Sequence, residues 1–467
     1  MQQLTEIIDT LNHYLWGYIL IAMLLGCAVW FTVKSRFVQF TMFGEMFRLL
    51  VKSNSRAGSE HVSSFQAFAI SLASRVGTGN LAGVATAITL GGAGAVFWMW
   101  IIALFGAANA FVESTLAQLY KSKSEGDGLY IGGPAYYMQR GLGKRWLGVI
   151  FAVLITITFG FAFNSVQSNT ICAAFDKSFG IDHTVMGVVL TVITLAVIFG
   201  GLKRIASISS VIVPFMALGY IVMALVVVIL NIDHLPEVVE HIVKSAMGFE
   251  QAMAGGIGAA VMQGIKRGLF SNEAGMGSAP NAAATADVAH PVAQGLVQTL
   301  GVFTDTLLIC SCTAFIILFS GVPTDGAVDG INLTQQALST KIGDWGAIFV
   351  SVAILLFAYS SIIGNYYYGE SNIRFITQKR WVLQLYRLFV GGMVMFGSVA
   401  TLRLVWNFAD ITMALMTICN LVAMIWLGHE AIILLKDYRR QRAQGVKEPV
   451  YVKSSTPEIA HKVELWE

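Results

Sequence analysis

The sequence predicts an all-α polytopic membrane protein with about eleven transmembrane helices. Ten of them form a five-plus-five inverted repeat with broken first helices, behind one extra N-terminal helix. Three observations predict this. Only 12% of the 467 residues are charged, about half the usual share for a soluble domain, while 56% are hydrophobic. Basic residues fall in alternate connections between the apolar runs. Two of those runs are interrupted by glycine-rich polar sequence.

The first apolar run, about 13–33, follows Glu6 and Asp9 with no basic residue before it, so it reads as a membrane helix rather than a cleaved signal. The other spans are expected near 63–90, 93–120, 146–174, 184–201, 206–230, 250–284, 292–320, 345–369, 384–405 and 410–436. Hydrocarbon offers the backbone no partners, so each must be helical. The division is then 1–62 (first helix and an amphipathic segment), 63–232 and 233–436 (the two repeats) and 437–467 (a basic tail).

One set of connections holds Lys34, Arg36, Arg48, Lys52 and Arg56, then Lys121, Lys123, Arg140, Lys144 and Arg145. Lys203, Arg204, Arg374, Lys379, Arg380, Arg387 and the basic tail continue it, against only Lys177, Lys244, Lys341 and Arg403 opposite. The bias places the N-terminus outside and the C-terminus in the cytoplasm of a bacterial-type inner membrane. An odd number of spans requires opposite ends, in agreement.

The second span runs from Ser63 through Arg75 to Gly77-Thr-Gly-Asn80 before resuming as an apolar helix. That break lies about fourteen residues in, roughly 20 Å along a helix and so near the bilayer middle. The seventh span repeats the pattern, becoming glycine-rich and polar between Gly264 and Pro280. The breaks open successive groups of five spans. Five being odd, the groups run in opposite directions, and paired broken helices point to a midplane substrate site. Irregular backbone at that depth survives only where protein or an aqueous cavity surrounds it.

Four segments carry a resemblance: Gly77-Thr-Gly-Asn-Leu-Ala-Gly83, Gly94-Ala-Val-Phe-Trp-Met-Trp100, Gly132-Gly-Pro-Ala-Tyr-Tyr137 and Phe270-Ser-Asn-Glu-Ala-Gly-Met-Gly-Ser-Ala-Pro-Asn281. With His290-Pro-Val-Ala-Gln-Gly295 they resemble the alanine or glycine:cation symporter family over about residues 14–440. Ala93 stands where many members have proline. The resemblance implies sodium-coupled, sometimes proton-coupled, uptake of a small neutral amino acid. It also implies the inverted-repeat fold of the leucine and neurotransmitter sodium symporters.

A free amino acid is a zwitterion and needs donors for its carboxylate and acceptors for its ammonium. A helix break supplies converging N–H groups and a favourable dipole. Gly77, Thr78, Gly79 and Asn80 offer such a place, although Gly-x-Gly-Asn also suits a simple kink. The ammonium should meet carbonyls freed near Gly268 to Ser271. By resemblance, Phe270, Ser271, Ala274 and Gln167 contact the substrate; for Gln167 an interhelical hydrogen bond is the competing reading. By resemblance again, sodium lies between the carbonyls of Ala73 and Val76 and the hydroxyls of Ser360 and Ser361. Adjacent helical serines also commonly bond back to the preceding turn.

Arg75, Lys266, Arg267, Glu273 and Asp305 fall within spans, where unpaired charge is costly. Pairs of Lys266 or Arg267 with Asp305 or Glu273 are expected, with a gate or proton relay as the alternative. Glu113 is expected at the inner mouth or as a packing cap.

Other classes fare worse. Ser278 and His290 raise the thought of an intramembrane protease, but no third residue or oxyanion site accompanies them. His429-Glu430 lacks the second histidine of a zinc-protease helix. A channel would need a repeated selectivity ring. Five cysteines, all in apolar stretches, read as packing residues. No phosphate-binding loop occurs, so ion gradients rather than ATP must drive transport, and nothing suggests nucleic-acid binding. The tail reads as a basic anchor near anionic membrane lipid.

Overall fold

The computed structural model describes residues 10–53, 62–124, 128–248 and 256–466. Glu6, Asp9, Arg56 and the expected start of the seventh span at 250–255 lie outside the described residues.

The chain is almost entirely helical. In order, the helices used below are α1 (Thr10–Lys34), α2 (Phe43–Ser53), α3 (Ser64–Arg75), α4 (Gly79–Gly91), α5 (Gly94–Leu119), α6 (Pro134–Arg140), α7 (Arg145–Phe179), α8 (His183–Ile198) and α9 (Arg204–Leu230). There follow α10 (Leu235–Ala246), α11 (Gly256–Asn272), α12 (Ala279–Ala283), α13 (Pro291–Ser320), α14 (Gly330–Ile342), α15 (Trp345–Ile376), α16 (Arg380–Val399) and α17 (Leu402–Ala443). Among the described residues, eight helices are long and apolar enough to cross a membrane, and α4 and α8 are shorter apolar ones.

Both expected interruptions are breaks. α3 starts where Ser63 and Gln66 form a reciprocal capping box, and stops where Val76 turns to φ −79°, ψ 95°. α11 stops at Asn272, and Glu273 (φ 58°), Gly275 (φ 86°) and Gly277 (φ 89°) carry the chain through left-handed conformations before α12. A left-handed glutamate is uncommon and costs energy, so its surroundings must hold it there.

α5 packs along both α11 and α13, α11 touches α4, and α12 touches α3, which brings the two breaks together. α15 packs on α3 and α7, and α1 lies outside α5 and α17. Wide π-type turns occur at Gly79–Gly83 in α4, Thr156–Phe163 in α7 and Phe303–Cys310 in α13. Such turns cluster at functional sites.

Two boundaries differ from expectation. α16 ends at Val399 and α17 starts at Leu402, so Arg403 lies in the last helix rather than at the end of the tenth span. The tail also differs. After Gly445 (φ +85°) it folds back, burying Tyr451, Ile459, Val463 and Trp466 against the protein body. Four apolar residues spaced along a polar segment gave it a face to bury.

Candidate site between the two helix breaks

The first break leaves carbonyls and N–H groups without helical partners, and side chains from other helices take them. The Ser361 hydroxyl on α15 lies 2.9 Å from the Ala73 carbonyl, 3.2 Å from that of Val76 and 3.0 Å from that of Phe357. The Gly77 N–H donates to Asn80 Oδ1 at 2.8 Å, and the Thr78 N–H to Gln167 Oε1 on α7 at 2.9 Å. Glycine is required by close approach: a Cβ on Gly77 would lie 2.3 Å from Ser361 Oγ, and one on Gly79 3.0 Å from the Phe270 ring and 3.1 Å from Ser271 Cα. Ser360 is not part of this cluster. Its hydroxyl bonds the Phe357 carbonyl at 2.9 Å and lies 3.7 Å from Met216 Sδ, because adjacent residues on a helix point about 100° apart.

At the second break, Glu113 on α5 accepts the N–H groups of Gly275 and Gly277, each at 3.0 Å, and the Asn420 amide at 2.9 Å. It is the cap that holds the left-handed glycines. Glu273 accepts from Ser74 (2.8 Å) on α3 and from Ser278 (2.5 Å). Asp305, on the π-type turn of α13, accepts from Asn80 (2.7 Å), Ser271 (2.8 Å) and Thr306 (2.8 Å). Two carboxylates thus connect one break to the other. All three are buried.

The Phe270 ring lies between those of Phe163 (ring centroids 4.4 Å) and Trp406 (4.6 Å), tilted against both. Of the expected substrate residues, Gly77, Thr78, Gly79, Asn80, Gln167, Phe270 and Ser271 come together. Ala274 does not: it lies in the break just after α11 and packs with Ala103, Ala107 and Val302 of α5 and α13.

The expected ion pairs require correction. Lys266 (2.5 Å) and Arg267 (2.8 Å) both pair with Asp410 on α17, not with Asp305 or Glu273. Glu273 lies just past the end of α11, where the hydroxyls of Ser74 and Ser278 hold it instead. Arg267 also stacks on Trp406 at 4.3 Å. Arg75 is buried at the end of α3, where its Nη1 donates to the Gln298 carbonyl at 3.2 Å. Ser278 and His290 serve separate partners, since His290 Nε2 faces Asp437 at 3.4 Å and its Nδ1 accepts the Val292 N–H at 3.1 Å. Burial lowers the His290 pKa, and Asp437 opposes that shift.

Sequence reasoning missed Ser74, Asn365, Asp410 and Asn420. The Ser74 hydroxyl lies 2.7 Å from Asn365 Oδ1, and Asn365 donates to Asn164 at 3.2 Å. The signal was present, since amides and carboxylates inside apolar spans are functional or structural pairing sites by default.

The chain is 52% identical to the amino-acid carrier protein AlsT of Bacillus subtilis (strain 168), over 99% of this chain and 97% of that one. It is 51% identical to the same organism's probable sodium/glutamine symporter GlnT (97% and 94% covered), and 36% identical to the sodium/alanine symporter AgcS of Methanococcus maripaludis (95% and 99% covered). In fold it resembles MhsT in complex with L-phenylalanine, with a TM-score of 0.56, 13% identity, and 81% of this chain and 97% of that one covered. It also resembles the Eremococcus coleocola manganese transporter, at TM-score 0.53, 14% identity, and 85% and 83% covered. These likenesses show the fold, that of multi-pass membrane transporters. The family model described as the sodium:alanine symporter family matches residues 1–453, and the chain belongs to that family of transporters.

Proposed function

We propose that this protein couples Na⁺ influx to uptake of a small neutral amino acid by alternating access. One observation carries the reading: at a buried helix break, the Gly77 and Thr78 N–H groups are held by side-chain oxygens of Asn80 and Gln167. A substrate carboxylate offers the same oxygens with a full charge, making stronger bonds to the same donors. Gly79, against Ser271, lets the ligand approach the backbone, and the ammonium lies toward the α11 break and the Asp305 carboxylate. Phe270 and Trp406 close over the small side chain.

The coupling ion, a cargo, lies between the Ala73 and Val76 carbonyls and the Ser361 hydroxyl, which already converge. Ser360 is expected to contribute nothing directly. Sodium holding α15 against the end of α3 sets the N–H groups for the carboxylate, so each ligand raises affinity for the other by the same factor. Eleven crossings, with the N-terminus outside and the C-terminus in the cytoplasm, complete the reading.

The buried Glu273 and Asp305 carboxylates favour one second reading, proton coupling in the same fold. Uptake by proteoliposomes of a panel of labelled amino acids, under separately imposed Na⁺ and H⁺ gradients, tests both. Saturable uptake driven by Na⁺ is expected. Uptake indifferent to sodium overturns the sodium site, and ion flux without saturable uptake overturns the symporter in favour of a channel.

A further inference from the structure

The folded-back tail touches the segment that follows the second break. Residues 284–290 link α12, directly after the second break, to α13. That segment is held from four directions. Gln118, at the end of α5, donates from Nε2 to the Ala283 (2.5 Å) and Ala286 (2.9 Å) carbonyls. Lys121 Nζ donates to the Ala286 carbonyl at 3.1 Å, the Asp287 N–H to the Val62 carbonyl at 3.0 Å, and the Tyr451 N–H of the tail to the Ala289 carbonyl at 2.9 Å.

The rest of the tail then covers those same holders. The Trp466 indole donates to the Gln118 carbonyl at 3.1 Å, and its ring lies 4.7 Å from Lys121 Nζ and 5.6 Å from the Tyr451 ring. Tyr451 packs on His290 at 5.6 Å. Lys462 pairs with the fully buried Glu430 on α17 at 2.9 Å, and Glu464 with Arg140 on α6 at 2.5 Å. Trp466 is itself 7% exposed although it stands at the end of a polar segment.

We propose that residues 450–466 are an intramolecular latch that holds the 284–290 segment shut and so restrains opening of the site on the face carrying the C-terminus. The anchors come from the end of α5, from α6, from α17 and from the 284–290 segment itself. Any opening that separates these elements breaks several anchors at once. The tail therefore binds the closed arrangement selectively, and only such differential affinity shifts an equilibrium between states. Its tether to α17 is short, so release is intramolecular and reversible. Trp466 is the centre of the contact: a buried aromatic ring with its one polar atom satisfied is the type of group that dominates interface energetics. The restraint on opening stands on the contacts alone; its inhibitory consequence rests on the transport reading above.

The test is hydrogen exchange of the full-length protein in nanodiscs, comparing wild type with Trp466→Ala and, separately, Glu464→Arg, which sets two cations face to face at the tail's exposed edge. Peptides covering 284–290 should exchange at least tenfold faster in Trp466→Ala and severalfold faster in Glu464→Arg, with the rest of the chain unchanged. Uptake at saturating substrate should rise in both variants. Exchange at 284–290 within a factor of two of wild type in both variants overturns the latch, as does faster exchange spread over the whole chain. Faster local exchange with reduced uptake overturns the inhibitory role. If wild-type protein takes up no amino acid, the transport reading fails, while the exchange comparison still decides whether the tail restrains the segment.

Discussion

Asn80 donates its side-chain amide to the Asp305 carboxylate at 2.7 Å, and the other oxygen of that carboxylate accepts the Ser271 hydroxyl at 2.8 Å. Asn80 lies just after the first helix break and Ser271 just before the second, so one buried carboxylate ties the two irregular segments together. Hydrogen bonds to a charged acceptor contribute about 1.5–3 kcal/mol each, enough to set how the breaks face one another. Asp305→Asn keeps the volume and loses the charge. Uptake should fall at least tenfold while membrane insertion and the size-exclusion profile are retained. Uptake within twofold of wild type would show that the tie is ordinary packing.

The paired serines separate the sodium site from helix packing. Ser361→Ala removes the hydroxyl that meets two carbonyls of the first break, so apparent sodium affinity should drop at least tenfold. Substrate affinity should drop with it at moderate sodium and recover partly when sodium is raised. Ser360→Ala touches only its own helix and Met216, so its sodium dependence should stay within about twofold. Sodium titrations of substrate-induced thermal stabilisation measure both, since a ligand stabilises the state it binds. Equal losses in the two variants would refute the assignment.

The glycines of the first break should rank by the space around them. A Cβ on Gly77 meets Ser361 Oγ at 2.3 Å, whereas one on Gly79 meets atoms no nearer than 3.0 Å. Substrate binding should therefore fall more in Gly77→Ala than in Gly79→Ala, and should vanish in Gly79→Leu. Direct binding isotherms of purified, monodisperse protein give the order.

Asp410 serves two cations, Lys266 and Arg267, inside the protein. Removing one partner of a buried ion pair typically costs about 3–5 kcal/mol, because the other charge is left buried and unpaired. Asp410→Asn should accordingly lower the melting temperature by several degrees, more than Asp325→Asn on an exposed loop. A thermal shift equal to that control would count against the pairing.

Lys121 gives a pH dependence. Burial lowers its pKa from 10.5 to about 7, with the Asp287 charge opposing the shift. Its ring neighbours are Tyr130 at 4.0 Å and Trp466 at 4.7 Å. A lysine freed from this cover binds a proton up to its ordinary range, so between about 7 and 10.5 the uncovered state carries more protons. The docked tail should therefore gain stability as pH rises above 7 and lose it progressively as pH falls toward 7. Exchange at 284–290, corrected for intrinsic rates, should slow from pH 7 to 9 in wild type. Lys121→Met should abolish the trend; a trend surviving in that variant assigns it to another group.

The sequence by itself determined the class, because apolar runs of membrane-spanning length with little charge leave helices as the only backbone solution in lipid. It also located both breaks, because Gly77-Thr-Gly-Asn80 and the segment between Gly264 and Pro280 interrupt apolar periodicity within the chain itself. Ser361 against Ala73 and Val76 was reachable only through a resemblance, since 285 positions separate Ser361 from Val76. The tertiary structure alone decided which partner each buried charge takes. Asp410 is 143 positions from Arg267, and Glu273, the candidate six positions on, lies past the end of α11 and is held by Ser74 and Ser278. It alone decided that Ser361 rather than Ser360 faces the first break, because the rotation of α15 about its axis follows from packing and not from composition. It also turned a polar tail into a folded-back strap. Ile459, Val463 and Trp466 stand at helical spacing (i, i+4, i+7), which marks an apolar stripe but not its partner, and only the surface formed by Gln118, Lys121, Arg140 and Glu430 gives them something to cover.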